Sequence, residues 1–566
     1  YPTRGFQSCV EPVLTFGLDS INMIDSLVVN WPDDHSQHLR NIPAKKELLL
    51  KQVDANEKFM VRSKSGKTLF REVTSKAIAG NINHKENDFV DFNIERLIPH
   101  MLSTEGPKIA VADINGDGLE DFVIGSARHD TTKVFLENAY GNFQQLLPQP
   151  ALAHDADYED AGMAFLDVDN DGDQDLVIAS GGNQNKTGSK LLQPRLYINN
   201  GKGIFERDDK RLPPISVNAS CVKILDFNGD GFPDIFIGGR SVPGQYGANP
   251  RSYLLRNDQG IFKDVTAEVA PDLLNIGMVT DAVWADIDND GKMELVVVGE
   301  WMPITVFKNE NGRLNLSPAL NQQFAFTNGW WNCIKAVDMN NDGKLDLIAG
   351  NLGLNTKIKA DSLHPAKLYL NDFDNNGIPE SILTYYKSDG KSYPYYLKND
   401  MVTQIPMLRK KFLKHADYAG KTIEEIFNKA QLESAVVKNA YEFRSCMFIN
   451  KDNGKFEKHP LPAEAQFSPV YAILVDDFDK DGLNDILMAG NLFGLKPELG
   501  RYDANYGDFY KGLPDNEFLY KSPTNSGFFY KGEARDMISI RNASNKQLIL
   551  LGLNNDSMMI FENTAK

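Results

Sequence analysis

The chain has 566 residues, 42% of them hydrophobic, 24% charged and 10% aromatic, which is the balance of a folded protein with ample apolar material for a core. Its net charge of −17 excludes a nucleic-acid surface, which needs a basic footprint, and fits carboxylates gathered to hold cations. No run approaches the roughly 18 apolar residues of a membrane-spanning helix. The four cysteines, Cys9, Cys221, Cys333 and Cys446, are too scattered for a disulfide framework or a zinc site. Cys221 and Cys333 sit in apolar, strand-like runs and are expected as buried thiols.

In chain order, the sequence opens at YPTRGFQ without an initiator Met or signal peptide, as a processed chain or the visible part of a longer one does. Residues 1–56 carry the strand-like runs VLTFGL, MIDSLVVNWPDD and KELLLKQV and are expected to form a small β module. Residues 57–68 read as a linker. TLFREVT, near Thr68, then reads as an outer strand able to pair with the far end of the chain.

From Asp113 the nonapeptide DINGDGLED begins a repeat. It recurs as DVDNDGDQD, DFNGDGFPD, DIDNDGKME, DMNNDGKLD, DFDNNGIPE and DFDKDGLND, starting at Asp167, Asp226, Asp286, Asp338, Asp372 and Asp477. Positions one, three, five and nine are oxygen-bearing in every copy, and position six is Gly. They are Asp113, Asn115, Asp117, Asp121; Asp167, Asp169, Asp171, Asp175; Asp226, Asn228, Asp230, Asp234; and Asp286, Asp288, Asp290, Glu294. The later copies supply Asp338, Asn340, Asp342, Asp346; Asp372, Asp374, Asn376, Glu380; and Asp477, Asp479, Asp481, Asp485.

Calcium, a hard cation, takes about six to eight oxygens at about 2.3–2.6 Å, and a tight loop of this kind can supply them. An EF-hand would close with a bidentate Glu at position twelve. That position holds Ile124, Ile178, Ile237, Val297, Ala349, Leu383 and Met488, so every copy fails the test and the ligand set closes at position nine. Up to seven structural calcium ions are expected.

Apolar runs flank the loops: KIAVA, MAFL, VKIL, AVWA, IKAV and AILV before, DFVIG, DIFIG, ELVVVG, DLIAG and DILMAG after. Further runs, TKVFLEN, RLYINN, SYLLRN and ITVFKN, lead into turns and outer strands. Four strands per unit at a spacing of about 40–60 residues is the signature of a β-propeller blade. The Asp372 copy follows Asp338 closely and is assigned to the same blade. Residues 398–436 have helical spacing around Pro406, and their basic residues Arg409, Lys410, Lys411 and Lys414 read as a solvated helix face. The tail, RDMISIRN, QLILLGL and SMMIFEN, supplies a blade without an acidic loop. The expectation is an all-β, seven-bladed propeller over 69–566, with six or eight blades as alternatives, carrying calcium loops and a small helical insertion and preceded by the small β module.

The repeat D-x-[DN]-x-[DN]-G-x-x-[DE], followed by a strand and Gly, resembles the FG-GAP/VCBS propellers related to integrin α-chain heads. FGLDSINMIDSLVVNWPDDHSQHL resembles the latter part of an ASPIC/UnbV module. With phrases such as PHMLSTEGPKIAVADINGDGLEDFVIG, GNLGLNT and LGRYDANYGD, the whole is similar to large surface proteins of Bacteroidota. That resemblance implies export to the outer-membrane surface, a lipid anchor on a segment outside this chain, and a partner in a SusC/SusD-type importer.

It also implies that partners bind opposite the calcium loops, where Arg240, Tyr246, Trp301, Trp330, Asn351, Arg501 and Tyr502 are the candidates for gripping a protein, peptide or glycan. The leading functional expectation is a non-enzymatic binding propeller. The alternative is a carbohydrate-active lyase or glycosidase on the same scaffold; no H-E-x-x-H, G-x-S-x-G, Walker A or G-x-G-x-x-G motif occurs. A calcium sensor is disfavoured, since rigid blades leave no bistable element.

Overall fold

Each acidic nonapeptide is the turn of an antiparallel hairpin, as in Ile109–Ala112 paired with Asp121–Ile124 in the computed structural model. The structure describes residues 3–5, 8–9, 11, 13–31, 35–58, 67–452 and 454–565. They fall into two units, Tyr1–Lys67 and Thr68–Lys566.

In the first unit Met23–Asn30 pairs with His35–Pro43, and Glu57–Lys58 adds a third strand. Thr3–Gly5 and Ser8–Cys9 form a separate pair. The runs VLTFGL and KELLLKQV do not become strands; the second ends in a short 3-10 turn, Gln52–Asp54. Their apolar side chains have no ladder to join, and Leu14 and Leu49 are each 82% exposed. The expected linker therefore begins later than residue 57, and most of it, 59–66, lies outside the described residues.

The second unit holds seven sheets in chain order, each built on four strands. Their inner strands are Ile109–Ala112, Asp160–Leu166, Asn218–Leu225, Met278–Ala285, Cys333–Val337, Val470–Asp476 and Glu533–Arg541. Each packs against the next, and the seventh packs against the first, closing a ring. The seventh sheet is completed from the front of the unit: Phe70–Glu72 pairs antiparallel with Met559–Asn563, Phe561 opposite Glu72. This is a β-propeller. Apolar clusters fill the space between neighbouring sheets, as where Val177 and Leu196 meet Val222 and Ile237. All seven residues at position twelve of the repeat are buried, six of them there and Leu383 in a separate apolar cluster.

The fifth sheet is interrupted. Between Asp346–Gly350 and Cys446–Asp452 the chain builds a further four-stranded sheet, in the order Ser392–Pro394, Glu380–Tyr386, Ala366–Asn371, Val436–Ala440. The Asp372 loop is the hairpin turn of this inserted sheet, so it does not share the fifth sheet. Five short helices between Lys398 and Glu433 complete the insertion, and Pro406 falls in the break between the first two, Lys398–Gln404 and Leu408–Lys411. Arg409, Lys410, Lys411 and Lys414 are exposed.

Side chains bridge every junction between neighbouring sheets. Asn199, Asn257, Asn309, Asn450 and Asn563 end or nearly end a third strand. Each donates its Nδ2 to the carbonyl of position two in the preceding sheet's loop, at 2.7–2.9 Å. Asn484 reaches Asp338 O at 2.7 Å, and Glu137 accepts from Ala543 N at 2.7 Å, completing the set. Four of these Asn residues also accept, through Oδ1, the N–H of the next turn glycine, at 2.6–3.0 Å. Close approach at the other end of the sheets needs glycine: a Cβ on Gly350 would lie 2.7 Å from Val470 O.

Phe70 is wholly buried, with edge contacts to Phe478, Phe509 and Phe528 at ring separations of 5.5–5.9 Å. Phe70→Ala is expected to cost about 3–5 kcal/mol in denaturant unfolding; a change under about 1 kcal/mol would mean that the closing strand does not secure the ring.

Candidate metal centres and the covered face of the ring

The seven loops share one backbone pathway. The position-one carboxylate accepts the N–H of position five through Oδ1 at 2.9–3.1 Å and that of Gly at position six through Oδ2 at 2.8–3.0 Å. Position five accepts the N–H of position seven at 2.8–3.1 Å. Glycine at position six has φ between 83° and 93°, the left-handed region, in every loop. Position four is left-handed too: Gly116, Asn170, Gly229, Asn289, Asn341, Asn375 and Lys480. Sequence reading passed over this second requirement, although Gly or Asn in six of seven copies signals it.

Position nine does more than close a ligand set. One of its oxygens accepts the N–H of position two at 2.9–3.1 Å in all seven loops. In Asp121, Asp175, Asp234, Asp346 and Asp485 the other oxygen accepts a third-strand N–H at 2.7–2.8 Å. Glu294 and Glu380, one methylene longer, leave Oε1 buried without a donor. Burial pushes all seven carboxyls up, to about 7 in Asp121, Asp234, Glu294 and Glu380 and about 6 in Asp175, Asp346 and Asp485. A nearby cation is the counter-charge that holds such groups ionised.

Position three divides the loops. Where it is Asn, as in Asn115, Asn228 and Asn340, its amide donates to the position-five carboxylate at 2.8–3.3 Å. Where it is Asp, its Oδ1 is buried without a donor, in Asp169, Asp288, Asp374 and Asp479. These four loops are the ones whose acids converge enough to hold a metal ion: Asp167, Asp169 and Asp175; Asp286, Asp288 and Asp290; Asp372, Asp374 and Glu380; Asp477, Asp479 and Asp485. The donor set is all oxygen and anionic, and acceptors buried without donors fit a hard cation.

Basic side chains reach into three of the four. Lys308 Nζ bridges Asp288 and Asp290, the latter at 3.0 Å, and Lys511 Nζ bridges Asp479 and Asp481, the latter at 2.5 Å. Arg211 meets Asp169 at 2.8 Å. Asp374 has no cationic side chain within ion-pair distance among the described residues.

Of the candidates for partner binding, five are interior. Arg240, Tyr246, Trp301, Trp330 and Asn351 are each at most 4% exposed. Glu300 anchors two of them: Arg240 donates to it at 2.6 Å and Tyr246 Oη at 2.6 Å, while His100 Nε2 lies 2.8 Å away. Burial alone would raise the Glu300 carboxyl, but Arg240 and His100 hold it well below the usual carboxylate range. Trp301, in the left-handed region at φ 61°, donates Nε1 to Tyr246 Oη at 2.8 Å. Trp330 packs edge-on to Trp301 at 5.4 Å, and its backbone N–H donates to Asn351 Oδ1 at 3.1 Å.

What covers them is the segment 81–107, irregular apart from a turn at Asp91–Asn93. Glu105 pairs with Arg240 at 2.8 Å, Met101 N donates to Gly494 O, Ser381 donates to Leu97 O, and Asn554 donates to Gly106 O. Arg501 stays exposed over the Phe493 ring, and half-buried Tyr502 bonds Thr356 at 2.9 Å, so these two remain on the surface. The buried thiols expected at Cys221 and Cys333 are found, with Cys446 also buried; the Cys9 side chain lies outside the described residues.

A ring of hairpins turned by acidic loops defines a class of propeller, and comparison with known proteins places the chain within it. FG-GAP-like repeats match residues 113–178, 167–237 and 286–349, and the ASPIC and UnbV family matches residues 1–57. The chain carries FG-GAP-like repeats behind an N-terminal ASPIC and UnbV domain. It is 29% identical over 164 residues to a phosphatidylinositol-glycan-specific phospholipase D of Rattus norvegicus, covering 25% of this chain and 18% of that protein. It is 28% identical over 150 residues to integrin alpha-4 of Xenopus laevis, covering 24% of this chain and 14% of that one. The chain thus matches under a fifth of the length of these relatives. Similar solved structures include an Agrocybe aegerita lectin that recognises non-reducing terminal N-acetylglucosamine, at 14% identity and TM-score 0.40, covering 81% of this chain and 87% of that one. The V. cholerae biofilm matrix protein Bap1 is similar at 11% identity and TM-score 0.36, covering 88% and 91%.

Glu95, within the covering segment, accepts Tyr246 N at 2.6 Å, leaves Oε2 without a donor, and is pushed by burial from 4.5 up to about 7. Between those two values the folded chain keeps a proton that the unfolded chain has released, so this group lowers stability as pH rises. Glu95→Gln is expected to stabilise the protein at about pH 8, by up to on the order of 3 kcal/mol, and to make no difference near pH 4. A pH-independent difference in melting temperature would contradict this.

Proposed function

We propose that the chain is a non-enzymatic binding scaffold, a propeller stabilised by calcium at its acidic loops and displayed outside the cell to hold a protein partner or a nutrient ligand. The observation that carries the reading is the buried, donor-less third-position oxygen in Asp169, Asp288, Asp374 and Asp479, beside carboxylates that burial pushes toward neutrality. An all-oxygen set of this kind suits calcium above softer metals. The bound ion supplies positive charge; the chain's own part is to fix position one by two backbone N–H groups and position nine between loop and strand. Among the described residues no helix is long and apolar enough to cross a membrane. Family resemblance supports display at an outer-membrane surface beside a SusC/SusD-type importer. The exposed Arg501 and its neighbour Tyr502 are the candidates that remain for contact with a partner.

Excess chelator is expected to lower the melting temperature markedly, because ions bound only by the folded state add a few kcal/mol per saturated site. An unchanged melt would overturn the calcium reading. Binding without turnover is expected in a polysaccharide screen; released products would favour an enzyme.

The loops are expected to differ in affinity. Lys308→Met frees Asp288 and Asp290 of a competing ammonium and should tighten calcium binding at that loop in calorimetry. Asp374→Asn should remove one tight site, since no internal cation stands in there. Equal stoichiometry and affinity in all three proteins would refute this ordering.

A further inference from the structure

The ring axis carries a second kind of charge. A cavity of about 170 Å³ runs between the inner strands, lined by Lys108, Lys223, Lys335 and Arg535 on one side of the balance and by Asp281 and Asp536 on the other. Lys223 is spoken for, paired with Asp281 at 2.7 Å. Arg535 meets Glu533 at 2.7 Å, donates to Asn491 O at 3.0 Å and lies over the Tyr471 ring at 4.2 Å, yet its Nε, on a side chain 3% exposed, has no acceptor among the described residues.

The two lining carboxylates are engaged elsewhere. Asp281 also accepts Ile334 N at 3.0 Å, and Asp536 accepts Ile109 N and Met537 N, each at 2.9 Å, so both tie strands together. Lys335 has no hydrogen bond or ion pair among the described residues, and Lys108 makes only a 3.4 Å contact with Arg535 O. Asn332 adds a buried Nδ2 without an acceptor. Lys223 and Arg535 have carboxylate partners, while Lys108 and Lys335 have none within ion-pair distance among the described residues, Asp281 being the acid nearest in effect to Lys335. Ammonium groups without an ion-pair partner and donors without acceptors inside a protein call for an anion.

We propose that the axial cavity is a binding site for one small anion, a halide or an oxyanion no larger than sulfate, held by Arg535 Nε, Asn332 Nδ2 and the Lys335 ammonium. The site is built from inner strands and is independent of the acidic loops and of what they bind. The volume suits such an ion with part of its water shell. A larger ligand would have to pass the ring of inner-strand side chains.

Two measurements on the whole chain test the site. Crystals grown in sodium bromide should show an anomalous bromide peak on the axis beside Arg535 and Asn332; crystals in sodium sulfate should show tetrahedral density there if an oxyanion is preferred. Absence of both overturns the proposal. Titration of either salt at constant ionic strength should raise the wild-type melting temperature to a plateau, and Lys335→Met and Asn332→Ala should each weaken the midpoint by about tenfold or more. A salt response identical in wild type and both variants would mark a general salt effect, and the proposal would fall.

Discussion

The carboxylate at position nine of each loop is the interaction on which the ring depends. In five loops it accepts one N–H from its own loop and one from the third strand, so a single side chain fixes the turn to the third strand of its own sheet. Charge-assisted bonds of this kind contribute about 1.5–3 kcal/mol each while the group is ionised. Burial works against ionisation, pushing these groups to about 6 or 7. The fold therefore sets itself an electrostatic problem that positive charge near the loop resolves, whether from a metal ion or, at Asp288 and Asp479, partly from a lysine of the third strand.

The loops are also where neighbouring sheets are joined. The asparagine that ends or nearly ends a third strand donates to the carbonyl of position two in the preceding loop, the same residue whose N–H the ninth-position carboxylate holds. Candidate ion site, hairpin turn and inter-sheet bridge thus share a few ångströms of backbone. On the opposite face, residues that look suited to a ligand are used to seat the segment 81–107 over the ring. Charge and aromatic area on that face serve internal closure, and the surface offered outward is set by the insertion and by loops such as that carrying Arg501.

Much of this was legible in the sequence because the signals are local. Five fixed positions in nine residues mark the turn, an apolar position twelve marks the returning strand, and TLFREVT marks a strand in search of a partner. The bridging asparagines were equally local in RLYINN, SYLLRN and ITVFKN, but their meaning lies in a carbonyl about 80–90 residues earlier, which no short window contains. Arg240, Tyr246 and Trp301 misled for the converse reason: their composition matches a binding surface, while their burial is decided by His100 and Glu105, more than a hundred residues away. The Asp372 loop was recognised as a loop, yet its own sheet was missed because two of the four strands lie beyond the loop on either side of five short helices.

The seventh sheet has a consequence for how the chain is made. Its outer strand comes from the start of the second unit and its other three from the end, so Arg71 finds Glu562 across 491 residues. During synthesis the ring's first-made strand must wait for its last, and for all that time the growing stack presents an uncovered apolar sheet face at each end. Contacts of such long sequence separation form late and slowly. The same arrangement makes the finished ring hard to unravel from its first or its last sheet, since the strand pair that closes it joins the two.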